Sequence, residues 1–185
     1  PFHKIQSFSE LLLEFYKDSK ERTVTVGIAG SEMLPFKYWQ KINNLDFVKV
    51  VEVDDMILQQ RSIKSPQEIK VIEHAYSIAE RGIQKGIDVI DKGISEREIA
   101  AEIEYEMRKL GSEGMGIDTI IGSGKNNTHP ILTRTTARQI KDGDHVLLTI
   151  APRYEGYHGA IGRVVAIGQI DENISQAYNI ALRAQ

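Results

Sequence analysis

The chain has 185 residues, of which 41% are hydrophobic and 26% are charged, a balance typical of a globular protein rather than a disordered one. Its net charge of −3 comes with no long basic run, so nothing in the sequence favours a nucleic-acid partner. There is no cysteine for a disulfide or a thiolate zinc site, and no apolar run approaches the ~20 residues of a membrane-spanning helix.

The first sixty residues predict alternating helices and strands. Residues 9–17 and 35–42 have helical patterns, and the β-branched runs 23–29 and 48–53 predict strands. This order is typical of an α/β layer, but the segment is too short for a complete domain. No further element is predicted before a connection at residues 61–66, where we expect the boundary between two domains.

The first long helix after this connection begins with a capping box. Ser65 can cap helix 66–90, proline suits its first position, and Glu68 can complete the box. Apolar residues then recur every three or four positions. Gly82 and Gly86 would weaken this helix by about 1 kcal/mol each unless close packing requires them.

The remaining elements predict a helix, a sheet and a last helix. Helix 96–110 begins with the same kind of box, formed by Ser95 and Glu98. The strands and the last helix are expected at residues 116–124, 145–152, 157–168 and 172–185. The predicted fold class is α/β (α+β), in which a curved antiparallel sheet carries helices on its outer face.

The strand pair has an informative motif. A Gly-Asp turn precedes the first strand, a Gly-Tyr reversal joins the two strands, and an arginine lies in the second strand. These residues are Gly143, Asp144, Gly156, Tyr157 and Arg163. With the segment R-x-I-K-S-P-x-E that starts at Arg61, the motif resembles the pita-bread family of creatinase, aminopeptidase P, prolidase and methionine aminopeptidase.

The resemblance also implies how the chain is organised. Residues 1–61 match the C-terminal part of a creatinase-type N-terminal α/β domain, and residues 62–185 match the N-terminal half of a pita-bread domain. Because the chain starts at Pro1 and its last predicted helix runs to residue 185, we expect a partial chain.

Two metal-binding positions of the family differ in this chain. In the family motif an Asp ends the first strand and a second Asp lies eleven residues later, but Thr149 and Ala160 stand at these places. A site for two divalent ions needs carboxylate oxygens, which neither residue supplies. The family's other ligands, a His and two Glu, belong to the second half of the domain. We therefore expect no catalytic metal and no other cofactor.

Two histidines are candidates for the chemistry. The S-G-x-N turn that starts at Ser123 leads, in the family, to a histidine beside the substrate, and His129 is the counterpart here. The resemblance implies acid-base catalysis by His129, since an imidazole titrates near neutral pH; a solvated loop histidine is the alternative. His158 could face the same cavity as Ala160 by strand alternation, or it could be structural.

Substrate binding would fall to neutral and basic side chains. A hydroxyl at Thr149 would admit a polar or anionic substrate without repelling it. Arg134, Arg138 and Arg163 could donate to a substrate carboxylate, and a solvated or structural arginine is the alternative for each. Arg163 is the strongest of the three because it matches a family position.

Three functions fit these residues. The first is a metal-independent, creatinase-like hydrolase that cleaves a C–N bond in a small amino-acid derivative or dipeptide. The second is a pita-bread module that binds or regulates without catalysis, and the third is a metal-dependent Xaa-Pro dipeptidase or aminopeptidase. The resemblance implies a cytoplasmic homodimer with a small-molecule or dipeptide substrate and neither a nucleic-acid nor a membrane partner.

Overall fold

The computed structural model describes residues 6–16, 23–128 and 134–184. The chain divides into two compact units, Pro1–Lys64 and Ser65–Gln185. No helix in the described ranges is both long enough and apolar enough to cross a membrane.

The first unit contains a two-stranded parallel sheet. Its elements are α1 (Phe8–Tyr16), β1 (Val24–Ile28), a short 3-10 helix (Ser31–Met33), α2 (Phe36–Asn43), β2 (Val48–Glu52) and α3 (Asp54–Ser62). Strands β1 and β2 pair with Val24 opposite Val48 and Ile28 opposite Glu52. The four predicted elements lie within one residue of their expected bounds.

Helix α3 occupies a stretch for which the sequence predicted no element. Met56 and Leu58 are exposed, so the helix lacks the buried stripe that periodicity can detect. Its charges do suit a helix, because Asp54 and Asp55 lie in the first turn and Arg61 in the last, where they complement the helix dipole.

The described residues of the second unit form three α-helices, α4 (Pro66–Val89), α5 (Glu96–Lys109) and α6 (Glu172–Ala184), and a 3-10 helix (Gly124–Thr128). Both predicted capping boxes are confirmed. Glu68 N–H donates to Ser65 Oγ at 3.3 Å, and Ser65 N–H donates to the Glu68 carboxylate at 2.7 Å. The corresponding distances for Ser95 and Glu98 are 3.3 and 2.8 Å.

Two three-stranded antiparallel sheets complete the second unit. The small sheet has the order β3–β6–β7, formed by Gly114–Met115, Pro152–Tyr154 and Tyr157–His158. The main sheet has the order β4–β5–β8, formed by Ile120–Ser123, His145–Ile150 and Ile161–Ala166. The expected antiparallel sheet is therefore present, but each strand of the predicted pair is divided between the two sheets.

The break between β7 and β8 coincides with a close contact at Gly159. A Cβ atom at this position would lie 2.5 Å from the carbonyl carbon and oxygen of Ala75 and from the backbone nitrogen of Tyr76. The chain therefore passes directly against the backbone of α4 between β7 and β8. Tyr157 in the same hairpin donates a hydrogen bond to the Glu68 carboxylate at the start of α4.

The core of the second unit lies between helices α4 and α5 and one face of the main sheet. Val146, Leu148 and Ile150 alternate along β5 and are fully buried. The residues that pack with them include Ile78, Ile83, Ile99, Ile103, Met107 and Ile121. This face of the sheet is therefore used for stability.

Gly82 and Gly86 allow α4 to approach this core closely. A Cβ atom at Gly82 would lie 2.6 Å from Met107 Cγ, and one at Gly86 would lie 2.7 Å from Leu148 Cδ2. Close packing thus requires both glycines, the condition under which a helix interior can accept them.

We predict that Gly159→Ala destabilises the protein by about 1–3 kcal/mol, because the added methyl group must displace helix backbone rather than a flexible side chain. Denaturant unfolding at neutral pH measures this change. Gly162→Ala is the matched control, since the nearest atom to its Cβ would be Thr149 Oγ1 at 3.9 Å. Equal stability of the two variants would contradict the assigned contact between Gly159 and α4.

Candidate functional site

The second face of the main sheet does not belong to the core. The strand register places Thr149 opposite Ile120 on β4 and opposite Gly162 on β8. Residues that face each other on neighbouring antiparallel strands project to the same side, so these three share one face. Buried Leu148 and Ile150 project to the other side. The surface around Thr149, the open face, includes Ile120, His145, Leu147, Thr149, Gly162 and Val164.

Thr149 is half-buried at the middle of the open face. Its neighbour Gly162 has no side chain, and a Cβ atom there would be in ordinary van der Waals contact with Thr149 Oγ1 at 3.9 Å. Space for another group therefore exists beside the threonine hydroxyl. A hydroxyl both donates and accepts hydrogen bonds and carries no charge at neutral pH.

The side chains at the two family positions do not fit a pair of divalent ions. Thr149 offers one neutral oxygen, and Ala160, exposed in the link between β7 and β8, offers no donor atom. Across the described ranges, no group of three or more histidine or acidic side chains is placed to hold a metal ion. The donor set expected of a metallopeptidase is thus absent from these two positions.

The structure describes one of the two histidines predicted for the site. His129 lies outside the described residues. His158 pairs with Arg153 in the small sheet, and its imidazole lies against the backbone of Gly116. Since β7 ends at His158 and β8 starts only at Ile161, alternation along one strand does not relate His158 to Ala160.

The three arginines have different surroundings. Arg163 pairs with Leu148, so it projects from the face opposite Thr149, and its Nη1 donates to the carbonyl of Gly162 at 2.7 Å. Arg134 is exposed. Arg138 is a bidentate donor, as its chemistry suggests, but its acceptor is Asp144 of the same chain.

Arg138 and Asp144 form a half-buried ion pair beside the main sheet. The Arg138 Nη1–Asp144 Oδ2 distance is 2.6 Å, and the Nη2–Oδ1 distance is 2.8 Å. Arg138 Nη1 also donates to Ser123 Oγ at 2.6 Å, and the backbone N–H of Lys141 donates to Asp144 at 2.7 Å. Burial raises the pKa of Asp144, but the hydrogen bonds from Arg138 and Lys141 outweigh it and hold the pKa below its ordinary value.

A second carboxylate, Glu96, is fully buried next to this pair. Its Oε1 accepts from Ser123 N–H at 2.9 Å and from Ser123 Oγ at 2.6 Å. Its Oε2 accepts from Thr136 N–H at 2.8 Å and from Thr136 Oγ1 at 2.6 Å. Burial raises the pKa of Glu96, yet the hydrogen bonds from Ser123 and Thr136 together keep the pKa below its usual range.

The sequence analysis did not identify Glu96 as anything but the first residue of a helix. A signal was present, because Glu96 lies on the same helical stripe as Ile99, Ile103 and Met107, which are all fully buried. An acidic residue on an apolar stripe must find partners, since an unpaired buried carboxylate is very costly. What the sequence could not supply is the identity of those partners.

Comparison with known proteins agrees with the fold. The model of metallopeptidase family M24 matches residues 70–185. An Xaa-Pro dipeptidase of Pyrococcus horikoshii is 36% identical over 173 residues, which cover 93% of this chain and 48% of that protein. The chain spans about half the length of the curated relatives it matches.

Two solved structures are similar over nearly the whole chain. An X-Pro aminopeptidase from Thermotoga maritima has a TM-score of 0.85 at 31% identity. The similarity covers 96% of this chain and 49% of the aminopeptidase chain. Prolidase from Pyrococcus furiosus has a TM-score of 0.83 at 33% identity, and the similarity covers 100% of this chain and 52% of the prolidase chain.

The antiparallel sheets and the two capped helices described within residues 65–185 match the corresponding part of these structures, which have the pita-bread fold. The chain belongs to metallopeptidase family M24.

We predict that acid weakens this structure through Asp144. Because its folded pKa lies below the unfolded value of about 4, the unfolded chain binds more protons near that pH. The contribution to stability is therefore complete above pH ~5 and is lost as the pH falls through the folded pKa. Asp144→Asn should reduce the free energy of unfolding more at pH 7 than at pH 3, measured by denaturant unfolding. Exposed Asp118→Asn is the control, and an equal loss at both pH values in Asp144→Asn would refute the prediction.

Proposed function

We propose that this protein is a metal-independent hydrolase that cleaves a C–N bond in a small amino-acid derivative or dipeptide. Membership of family M24 supports hydrolysis at such a bond. The observation that carries the metal-independent part is the position of Thr149 on the open face, beside the space left by Gly162. A neutral hydroxyl there can bind a polar substrate group where two cations would need carboxylates.

Without a metal, the reaction depends on proton transfer by the protein. Water adds to the carbon of the scissile bond, the C–N bond breaks, and the leaving nitrogen takes up a proton. We assign this transfer to His129, on the sequence motif alone, as a general acid-base group. Such a group typically contributes about 10²- to 10⁴-fold to the rate.

Thr149 is proposed to hydrogen-bond the substrate, and Arg134 is proposed to meet a substrate carboxylate. Arg163 is a weaker candidate for that role, because the register directs it away from Thr149. His158 remains a candidate for substrate binding. A cytoplasmic homodimer also remains a proposal from family resemblance.

A metal-dependent Xaa-Pro dipeptidase is the second candidate. The names of the relatives from Pyrococcus horikoshii and Thermotoga maritima favour it. Thr149 and Ala160 argue against it, since neither can replace a bridging carboxylate. A non-catalytic module is the third candidate, supported by the same two residues.

We predict that the full-length protein releases amine from its substrate equally well before and after treatment with a chelator. The assay uses a panel of Xaa-Pro dipeptides and N-substituted amino acids, together with elemental analysis of the purified protein. Stoichiometric manganese, cobalt or zinc, with loss of activity on chelation, would establish the second candidate instead.

The double variant Thr149→Asp, Ala160→Asp restores both carboxylates and should increase the amount of bound divalent metal.

We also predict that Gly162→Val reduces kcat/KM at least tenfold by filling the space beside Thr149, while the free energy of unfolding changes by less than about 1 kcal/mol. Valine suits a strand, and nothing crowds this position closely. Ala166→Val is the matched control. Ala166 lies on the same face of β8 as Gly162, but it pairs with His145, at the opposite end of β5 from Thr149. If Gly162→Val keeps full activity, the substrate does not bind beside Thr149.

A further inference from the structure

We propose that Glu96 is a positioning residue whose carboxylate fixes the two ends of the segment between Ser123 and Thr136. In its functional consequence the proposal rests on the proposed function, because His129 lies in this segment. Its structural consequence stands independently and can be measured without a substrate.

The two oxygens of the Glu96 carboxylate bind different ends of the segment. Oε1 receives both hydrogen bonds from Ser123, at the end of β4, and a third from Asn126 Nδ2 at 3.3 Å. Oε2 receives both hydrogen bonds from Thr136, which lies where the segment returns toward the sheet. One side chain on a third element, α5, therefore connects both ends of the segment.

The returning end also meets α5 and its cap through the backbone. The amide of Glu96 donates to the carbonyl of Arg138 at 3.0 Å, and Ser95 forms an isolated bridge with Gln139. A separate contact holds the returning chain to β4, since Thr135 Oγ1 accepts from Ile121 N–H at 2.9 Å and donates to Thr119 O at 2.7 Å. Glu96 differs from Thr135 because it lies outside the segment, on α5, and contacts both ends of it.

Helix stability alone does not explain a carboxylate at this place. Glu96 continues the stripe of Ile99 and Ile103, where an apolar side chain would pack without the cost of burying a charge. A buried carboxylate whose hydrogen bonds are all satisfied adds directional bonds that specify the arrangement of its partners. The carboxylate therefore contributes a defined distance between Ser123 and Thr136.

The decisive variant is Glu96→Gln, because each carboxylate oxygen accepts from one backbone N–H. The hydroxyl groups of Ser123 and Thr136 can rotate, but the two backbone donors cannot. Whichever way the glutamine amide is oriented, its NH2 group meets one backbone donor head-on. One end of the segment must therefore separate from α5.

We expect hydrogen exchange in Glu96→Gln to accelerate at least tenfold at the end that separates, which is either Ser123 or residues 134–138, with unchanged exchange around Ile103 and Met107. Glu102→Gln is the matched control on the same helix, since Glu102 pairs only at the surface, with Lys85 at 3.0 Å. Unchanged exchange at both ends of the segment in Glu96→Gln would overturn the positioning role.

If Glu96→Gln does not fold, Thr136→Val serves as the second variant, because it removes one of the two donors to Oε2. This variant should give a smaller acceleration of exchange at residues 134–138 only. Unchanged exchange at these residues would likewise overturn the proposal.

Kinetics of the full-length protein test the functional consequence. A positioning role predicts that Glu96→Gln lowers kcat about 10²-fold, within the range of a lost acid-base group, with KM changed by less than about threefold. A raised KM at constant kcat would overturn this consequence. If the wild-type protein hydrolyses none of the tested C–N bonds, the proposed function fails, and the exchange result still decides whether Glu96 positions the segment.

Discussion

The fold of the second unit depends on how closely helix α4 approaches the main sheet. Gly82 and Gly86 leave no side chain between the helix and Met107 or Leu148, and Gly159 brings the hairpin onto the backbone of the same helix. These contacts determine the position of strands β5 and β8 relative to helix α4. Since Thr149 and Gly162 are carried by those strands, the closeness of packing on one face of the sheet determines the geometry of the other.

The two faces of the sheet have separate tasks. Alternation along β5 directs Val146, Leu148 and Ile150 into the core and leaves Thr149 half-buried on the open face. A change of residue type at position 149 therefore alters the chemistry of the open face without disturbing the core. This separation allows the residue at position 149 to differ while the fold is kept.

Much of the fold follows from local patterns, and most of the site does not. Capping boxes and apolar stripes located helices α4 and α5, because caps and stripes depend on neighbours in sequence. Helix α3 had no stripe, and the break at Gly159 depends on a helix more than eighty residues away in sequence, so neither was predictable locally. The spacing of the motif predicted a site position at Thr149, whereas the side on which Arg163 projects required the register of β5 and β8. The partners of Glu96 come from two distant segments and were visible only in three dimensions.

The bonding of Ser123 has a consequence for reactivity. Its hydroxyl hydrogen is donated to Glu96 at 2.6 Å, and its oxygen accepts from Arg138 at 2.6 Å, in a position closed to solvent. The Glu96 carboxylate accepts its proton, and the Arg138 guanidinium donates to one of its lone pairs. Both groups therefore occupy the space from which an electrophilic carbon would approach this oxygen. A serine flanked by two glycines can look like a nucleophile in a primary sequence, but Ser123 is fully buried and bonded to Glu96 and Arg138, so its oxygen is not accessible to a substrate.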